Sequence, residues 1–200
     1  MAMELLNPML KDVINSLGYK KLLPIQEKAI PVILKGNHTL IISPTGSGKT
    51  EAALLPVVSS ILDKKGNGIK AIYITPLRAL NRDISYRIDK IVTGVGLTLF
   101  LRHGDTSQSQ RKKFLESPPD VMVTTPESLN LLLTIRKNLW ENVSYVIIDE
   151  IHELLDNKRG VELSLILERL DEFSRNRIQR IGLSATLSDE SKKEATSLLA

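Results

Sequence analysis

"SPTGSGKT", residues 43–50, follows the apolar run "HTLIIS" (38–43) and opens a helical pattern that continues to residue 62. Strand, glycine-rich turn and helix in that order are the setting of a phosphate-binding loop, written in general as G-x-x-x-x-G-K-[ST]. Gly48, Lys49 and Thr50 supply its end, and Ser43 stands where the general pattern has its first glycine (48 − 5 = 43). That first glycine serves the turn, and Ser43 with Pro44 makes a turn of another shape. Gly46 and Gly48 let the backbone curl so that successive N–H groups face one concavity, to which the following helix adds its positive end. Lys49 is placed to reach β- and γ-phosphate oxygens, and the Thr50 hydroxyl to ligate Mg²⁺. A plain Gly/Ser linker is the competing interpretation. A strand before, a helix after and "GKT" at their junction disfavour it.

Outward from this loop, β-branched apolar runs recur at 69–75, 97–101, 120–125, 144–149 and 178–184. Several are continuously apolar, as in strands buried on both faces. Helical patterns lie between them, at 24–34, 48–62, 77–92, 107–116, 126–135, 160–174 and 188–199. The alternation predicts βαβ units: one α/β domain with a mostly parallel sheet and helices on both faces. "KKGNG" (64–68), "ESPPD" (116–120) and "DNKRG" (156–160) are turns. In such folds ligands bind beyond the C-terminal ends of the strands, so the residues after each strand carry the chemistry.

Composition narrows the classes. The 200 residues are 42% hydrophobic, enough for a substantial core, and no apolar run approaches a membrane span. The amphipathic start, residues 1–21, lacks the features of a secretory signal. There is no cysteine, which removes disulfide frameworks and thiolate zinc sites. A cytoplasmic protein is expected. The formal charge is +4 and the aromatics number eight (3 Phe, 4 Tyr, 1 Trp). A base-stacking platform needs more exposed rings than that, so any nucleic acid would be gripped by its backbone.

"DEIH" (149–152) follows the apolar run 144–149. Two adjacent acids at the end of a buried strand are costly without a cation. Asp149 suits a second Mg²⁺ anchor, and Glu150 a base that orients the attacking water. The overlapping "HELLD" (152–156) differs from the metalloprotease pattern H-E-x-x-H in its last residue, so Asp156 would have to replace the second histidine. "DNKRG" breaks the helix that this ligand set needs, and the only other histidines are His38 and His103. "TPLRAL" (75–80) and "TTPESL" (124–129) are helix entries, with threonine at the N-cap and proline at the first helical position. Together with "SAT" (184–186), such turns along one sheet edge form a line of phosphate sites suited to a nucleic-acid backbone, to which Arg78 adds charge.

These pieces, in this order, resemble domain 1 of a superfamily 2 DExH helicase, with a RecA-like fold. Residues 43–50 read as that family's P-loop, and "LLPIQEKAIPVIL" (22–34) resembles its Q motif. "TPLRAL", "TTPES", "DEIH" and "SAT" look like motifs Ia, Ib, II and III. "RHGDTSQSQR" (102–111), "PPDVMVTTPESL" (118–129), "VIIDEIHELLDNKRGVELSLILERL" (146–170) and "QRIGLSATLS" (179–188) are similar to the large helicase-related (Lhr) proteins, with Hel308-type helicases as the nearest alternative.

The resemblance implies ATP and Mg²⁺ as cofactors. Gln26 would read the adenine edge, and Thr45, Gly46, Ser47, Gly48, Lys49 and Thr50 would hold the phosphates. Thr50 and Asp149 would hold the metal, with Lys49, Asp149 and Glu150 catalytic. Thr75, Pro76, Arg78, Gly104, Thr125, Pro126 and Glu127 would line the nucleic acid. His152, Ser184, Ala185 and Thr186 would couple the two sites. His152 separates the chain from the DEAD-box proteins, which have aspartate there. Met9 occupies the position (26 − 17 = 9) where DEAD-box proteins stack an aromatic on adenine.

The implied activity is 3′-to-5′ translocation on single-stranded DNA, with unwinding of branched or hybrid duplexes in repair or replication. The alternative is a P-loop ATPase with no nucleic-acid role. The family also implies a second RecA-like domain bearing arginine fingers. The 200 residues are therefore expected to be a monomeric fragment, residues 1–21 a helical extension, that binds nucleotide weakly and hydrolyses it slowly.

Overall fold

The computed structural model describes residues 1–64, 66–76, 82–101, 108–155 and 157–200. Six strands, β1 (Thr39–Ile42), β2 (Ala71–Ile74), β3 (Leu99–Leu101), β4 (Val121–Thr124), β5 (Tyr145–Ile148) and β6 (Gln179–Ser184), form one sheet in the order β1-β6-β5-β2-β4-β3. Every pairing is parallel. The α/β architecture and mostly parallel sheet are as the sequence predicts.

Why the strands are continuously apolar is visible in the core. Side chains alternate across a strand, and both faces of this sheet are covered. Ala71 and Tyr73 of β2 enter one core, and Ile72 and Ile74 enter the other. The first core is filled by α1 (Pro8–Ser16), α2 (Pro24–Leu34), α3 (Lys49–Leu62) and α4 (Arg82–Gly94). The second takes α5 (Gln108–Glu116), α6 (Pro126–Leu133), the single turn α7 (Ile151–Leu154), α8 (Asn157–Phe173) and α9 (Asp189–Leu199). The N-terminal segment joins the core: Leu6, Leu10 and Ile14, four apart, are all buried. At Gly182 of β6 an added Cβ would stand 3.0–3.2 Å from Leu199, Leu40 and Ile151, so glycine permits α7 and α9 to close on the sheet.

The strand ahead of Asp149 is not the neighbour of the P-loop strand, because β6 lies between β1 and β5. Both still end at the same edge, since all six strands are parallel. Lys70, ahead of β2, is clamped by Asp120, ahead of β4, at 2.5 Å at the opposite edge.

Candidate functional site

The loop after β1 forms as its glycines require. Gly46 and Gly48 have φ of +77° and +84°, the left-handed region that side chains avoid. Gly48 is the N-cap of α3 and brings no side-chain cap, so the leading N–H groups of a 14-residue helix face the loop. Ser47 Oγ is buried without a partner among the described residues. Lys49 is buried and donates through Nζ to the carbonyls of Ser43 (2.5 Å) and Pro44 (3.0 Å), leaving one ammonium hydrogen uncommitted by these bonds. Such an array of donors suits a polyphosphate.

Across the loop, β5 delivers Asp149 and Glu150. Asp149 is 4% exposed. Its Oδ2 accepts from the Tyr73 hydroxyl at 2.6 Å and its Oδ1 from the Glu150 N–H at 2.9 Å. Burial pushes its carboxyl above the usual range, against the pull of those two bonds and of Lys49. No lysine or arginine among the described residues forms a salt bridge to it. A buried carboxylate held only by neutral donors is a fitting ligand for a cation, and Thr50 lines the same cleft.

Glu150 has φ 46° and ψ 46°, the one non-glycine residue with positive φ among those described. Such backbone settings cost energy and cluster at functional sites. Burial and the Asp149 charge raise its carboxyl above the ordinary glutamate value. Its Oε2 lies 3.4 Å from His152 Nδ1, which is 2.9 Å from Ser184 Oγ. Ser184 donates in turn to the Thr186 carbonyl at 2.9 Å. Acid, histidine, Ser184 and Thr186 are thus joined in one chain of contacts. The turn α7 ends at Leu154, and no metal-binding group of three His, Cys, Asp or Glu occurs among the described residues. Asp156 and His103 lie outside them.

A cleft of about 670 Å³ runs from the loop to the N-terminal segment, lined by Thr45, Lys49, Asp149 and Glu150 at one end and by Tyr19, Leu23 and Gln26 at the other. Gln26 is buried, accepts from Leu23 N at 2.8 Å and donates to the Gly48 carbonyl at 3.2 Å, tying the 22–34 segment to the loop. Met9 is 55% exposed and does not line the cleft; the aromatic there is Tyr19. Glu51, buried in α3, accepts from Arg87 of α4 at 2.6 Å and from the Tyr19 hydroxyl at 3.2 Å. Tyr19, Tyr73, Glu51 and Arg87 escaped the sequence analysis, because single residues inside apolar or amphipathic patterns carry no signal of their own.

Thr75 and Thr125 end the adjacent strands β2 and β4 on the same edge as the cleft. Thr125 caps α6 by accepting from Ser128 N at 3.3 Å, with Pro126 at the first helical position, as predicted. Thr75, Pro76, Thr125 and Pro126 are all buried, whereas Glu127 is exposed. Arg78 and Gly104 lie outside the described residues.

Known proteins are similar to this chain in sequence and in fold. The DEAD/DEAH box helicase family pattern matches residues 23–195. A Lhr helicase/probable uracil glycosylase of Mycolicibacterium smegmatis is 41% identical over 180 residues, covering 82% of this chain and 12% of the relative. An ATP-dependent helicase Lhr-Core of Sulfolobus acidocaldarius is 41% identical over 187 residues, covering 85% and 21%. The chain therefore spans about a fifth or less of the length of these relatives. The solved structure of Mycobacterium smegmatis helicase Lhr bound to ssDNA and AMP-PNP superposes with a TM-score of 0.85 at 36% identity, over 95% of this chain and 26% of that one. No described helix is long and apolar enough to cross a membrane. With the family pattern spanning most of its length and a RecA-like helicase domain as its structural counterpart, the chain belongs to the DEAD/DEAH box helicase family.

Proposed function

We propose that this chain is the ATP-binding RecA-like domain of a cytoplasmic nucleic-acid helicase. The observation that carries the proposal is a single cleft with the glycine loop and Lys49 on one wall and Asp149 and Glu150 on the other. Gly46, Ser47, Gly48 and the first turn of α3 cradle the phosphates by their N–H groups, and Lys49 contacts the β- and γ-phosphates. Gln26, Leu23 and Tyr19 meet the base. Thr50 and Asp149 hold Mg²⁺, which when bound neutralises phosphate charge. Glu150, with its raised proton affinity and its left-handed backbone, aims its carboxylate at the attacking water.

On the same edge, the turns after β2 and β4 and the 184–186 segment bind the backbone of a single-stranded nucleic acid, by preference DNA, with 3′-to-5′ travel in DNA repair or replication. His152 and Ser184 transmit the state of Glu150 to that surface. A second RecA-like domain of the full-length protein completes the catalytic site with arginine, a group worth about 10³–10⁵ in rate in related enzymes. Alone, these 200 residues are monomeric and bind nucleotide without rapid turnover.

The test is fluorescent ADP binding by the wild type and by Lys49→Ala. Losing a charge-assisted contact of about 1.5–3 kcal/mol should weaken binding roughly tenfold to a hundredfold, with the fold intact. Equal affinity would refute the phosphate-loop assignment. Vigorous DNA-stimulated hydrolysis by this chain alone would refute the need for a second domain.

A further inference from the structure

Tyr73 sits in the middle of the sheet and is 1% exposed. It belongs to the first core, whose buried members are otherwise aliphatic. A hydroxyl buried there is costly unless it is bonded. β2 pairs with β5 in a register that sets Tyr73 opposite Ile147, two residues before Asp149. The ring therefore reaches along the strand direction to the acid at the end of β5.

The phenol donates to Asp149 Oδ2 at 2.6 Å. The direction of this bond is fixed, because an ionised carboxylate only accepts. Asp149, meanwhile, has each oxygen held by one donor, Tyr73 on Oδ2 and the Glu150 N–H on Oδ1, which sets the plane of the carboxylate. The acid at the end of one strand is thus oriented by a side chain from its neighbour, 76 positions earlier (149 − 73).

We propose that Tyr73 is a positioning residue for the metal site, presenting Asp149 to Mg²⁺ in ligating orientation before the nucleotide arrives. This rests on the nucleotide-site reading above. Its role belongs to the surroundings of the ligands: groups that orient metal ligands typically change metal affinity by about 10–100-fold when removed.

The experiment measures fluorescent N-methylanthraniloyl-ADP affinity in EDTA and across a Mg²⁺ series, for the wild type, Tyr73→Phe, Asp149→Asn and the double variant. Tyr73→Phe should raise the half-saturating Mg²⁺ concentration on the order of tenfold, while affinity in EDTA stays within about twofold of wild type. In the Asp149→Asn background the same substitution should change little, because the residue it orients is already gone. An unchanged Mg²⁺ midpoint overturns the proposal. So does an equal loss of affinity with and without metal, which marks a packing role, and so does an undiminished effect in the Asp149→Asn background. Lys49→Ala, measured alongside, must lose affinity in both conditions. If it does not, the nucleotide-site reading itself has failed, independently of Tyr73.

Discussion

Replacing Gly48 by alanine separates backbone strain from side-chain clash within one loop. Gly48 has φ +84°, and an L-residue in the left-handed region costs about 1–2 kcal/mol. An added Cβ would also stand 2.5 Å from Gln26 Nε2 and 2.8 Å from Leu23 Cδ1. Gln26 cannot simply turn away. It is 1% exposed and holds Leu23 N at 2.8 Å and the Gly48 carbonyl at 3.2 Å. Moving it sacrifices two hydrogen bonds, each worth about 0.5–1.5 kcal/mol. The expected total for Gly48→Ala is therefore about 2–5 kcal/mol. Gly46 is the internal control: its φ is +77°, but an added Cβ meets nothing within 4 Å, so Gly46→Ala costs only the backbone term, about 1–2 kcal/mol. Urea unfolding followed by the fluorescence of Trp140, the single and fully buried tryptophan, reports both variants. Adding Gln26→Ala should restore part of the loss in Gly48→Ala and none in Gly46→Ala. Equal destabilisation by the two glycine substitutions would refute the coupling of the 22–34 segment to the phosphate loop.

Glu150→Gln should lower hydrolysis in the full-length protein by about 10²-fold or more while leaving nucleotide affinity unchanged, as single-turnover assays and binding would show. Because burial and Asp149 raise the Glu150 carboxyl above its ordinary value, the folded chain favours the neutral form. The stability this confers is complete in acid and is lost as pH rises through the raised value. Glu150→Gln should therefore stabilise the nucleotide-free chain near neutral pH, with the gain vanishing in acid in the same urea assay. At the other edge of the sheet, Asp120→Ala removes bonds to Lys70 Nζ (2.5 Å) and to the N–H and hydroxyl of Thr98 (2.8 Å each), stranding a buried ammonium. The expected cost is about 2–4 kcal/mol. Burial pushes the Asp120 carboxyl up, but its bonds to Lys70 and Thr98 outweigh that and hold it below its ordinary value. The stabilisation is thus present at neutral pH and lost as pH falls through the lowered value, and unfolding curves of wild type and variant should converge in acid.

Much of the fold was legible one segment at a time. "HTLIIS", "IKAIYIT" and "SYVIID" are apolar at successive positions because helices cover both faces of the sheet, and helices cover both faces because the strands are parallel. The glycine loop was legible because phosphate binding needs positive φ at Gly46 and Gly48, and few residues other than glycine tolerate it. Asp149 and Glu150 stood out because acids at the end of an apolar strand contradict the pattern around them. Those signals are local, each set by residues within one turn or one strand. Tertiary structure alone decided that β6 separates β1 from β5, that Thr75 and Thr125 are buried, and that Tyr19 reaches the cleft where Met9 does not. Tyr73 is the plainest case. In "AIYIT" it is one more strand residue, and only the register of β2 against β5 brings its hydroxyl to Asp149, 76 positions away. Periodicity records which face of a strand is buried. It holds no information about which distant group will meet a buried hydroxyl there, because that depends on strand order and register, which arise only when the whole sheet assembles.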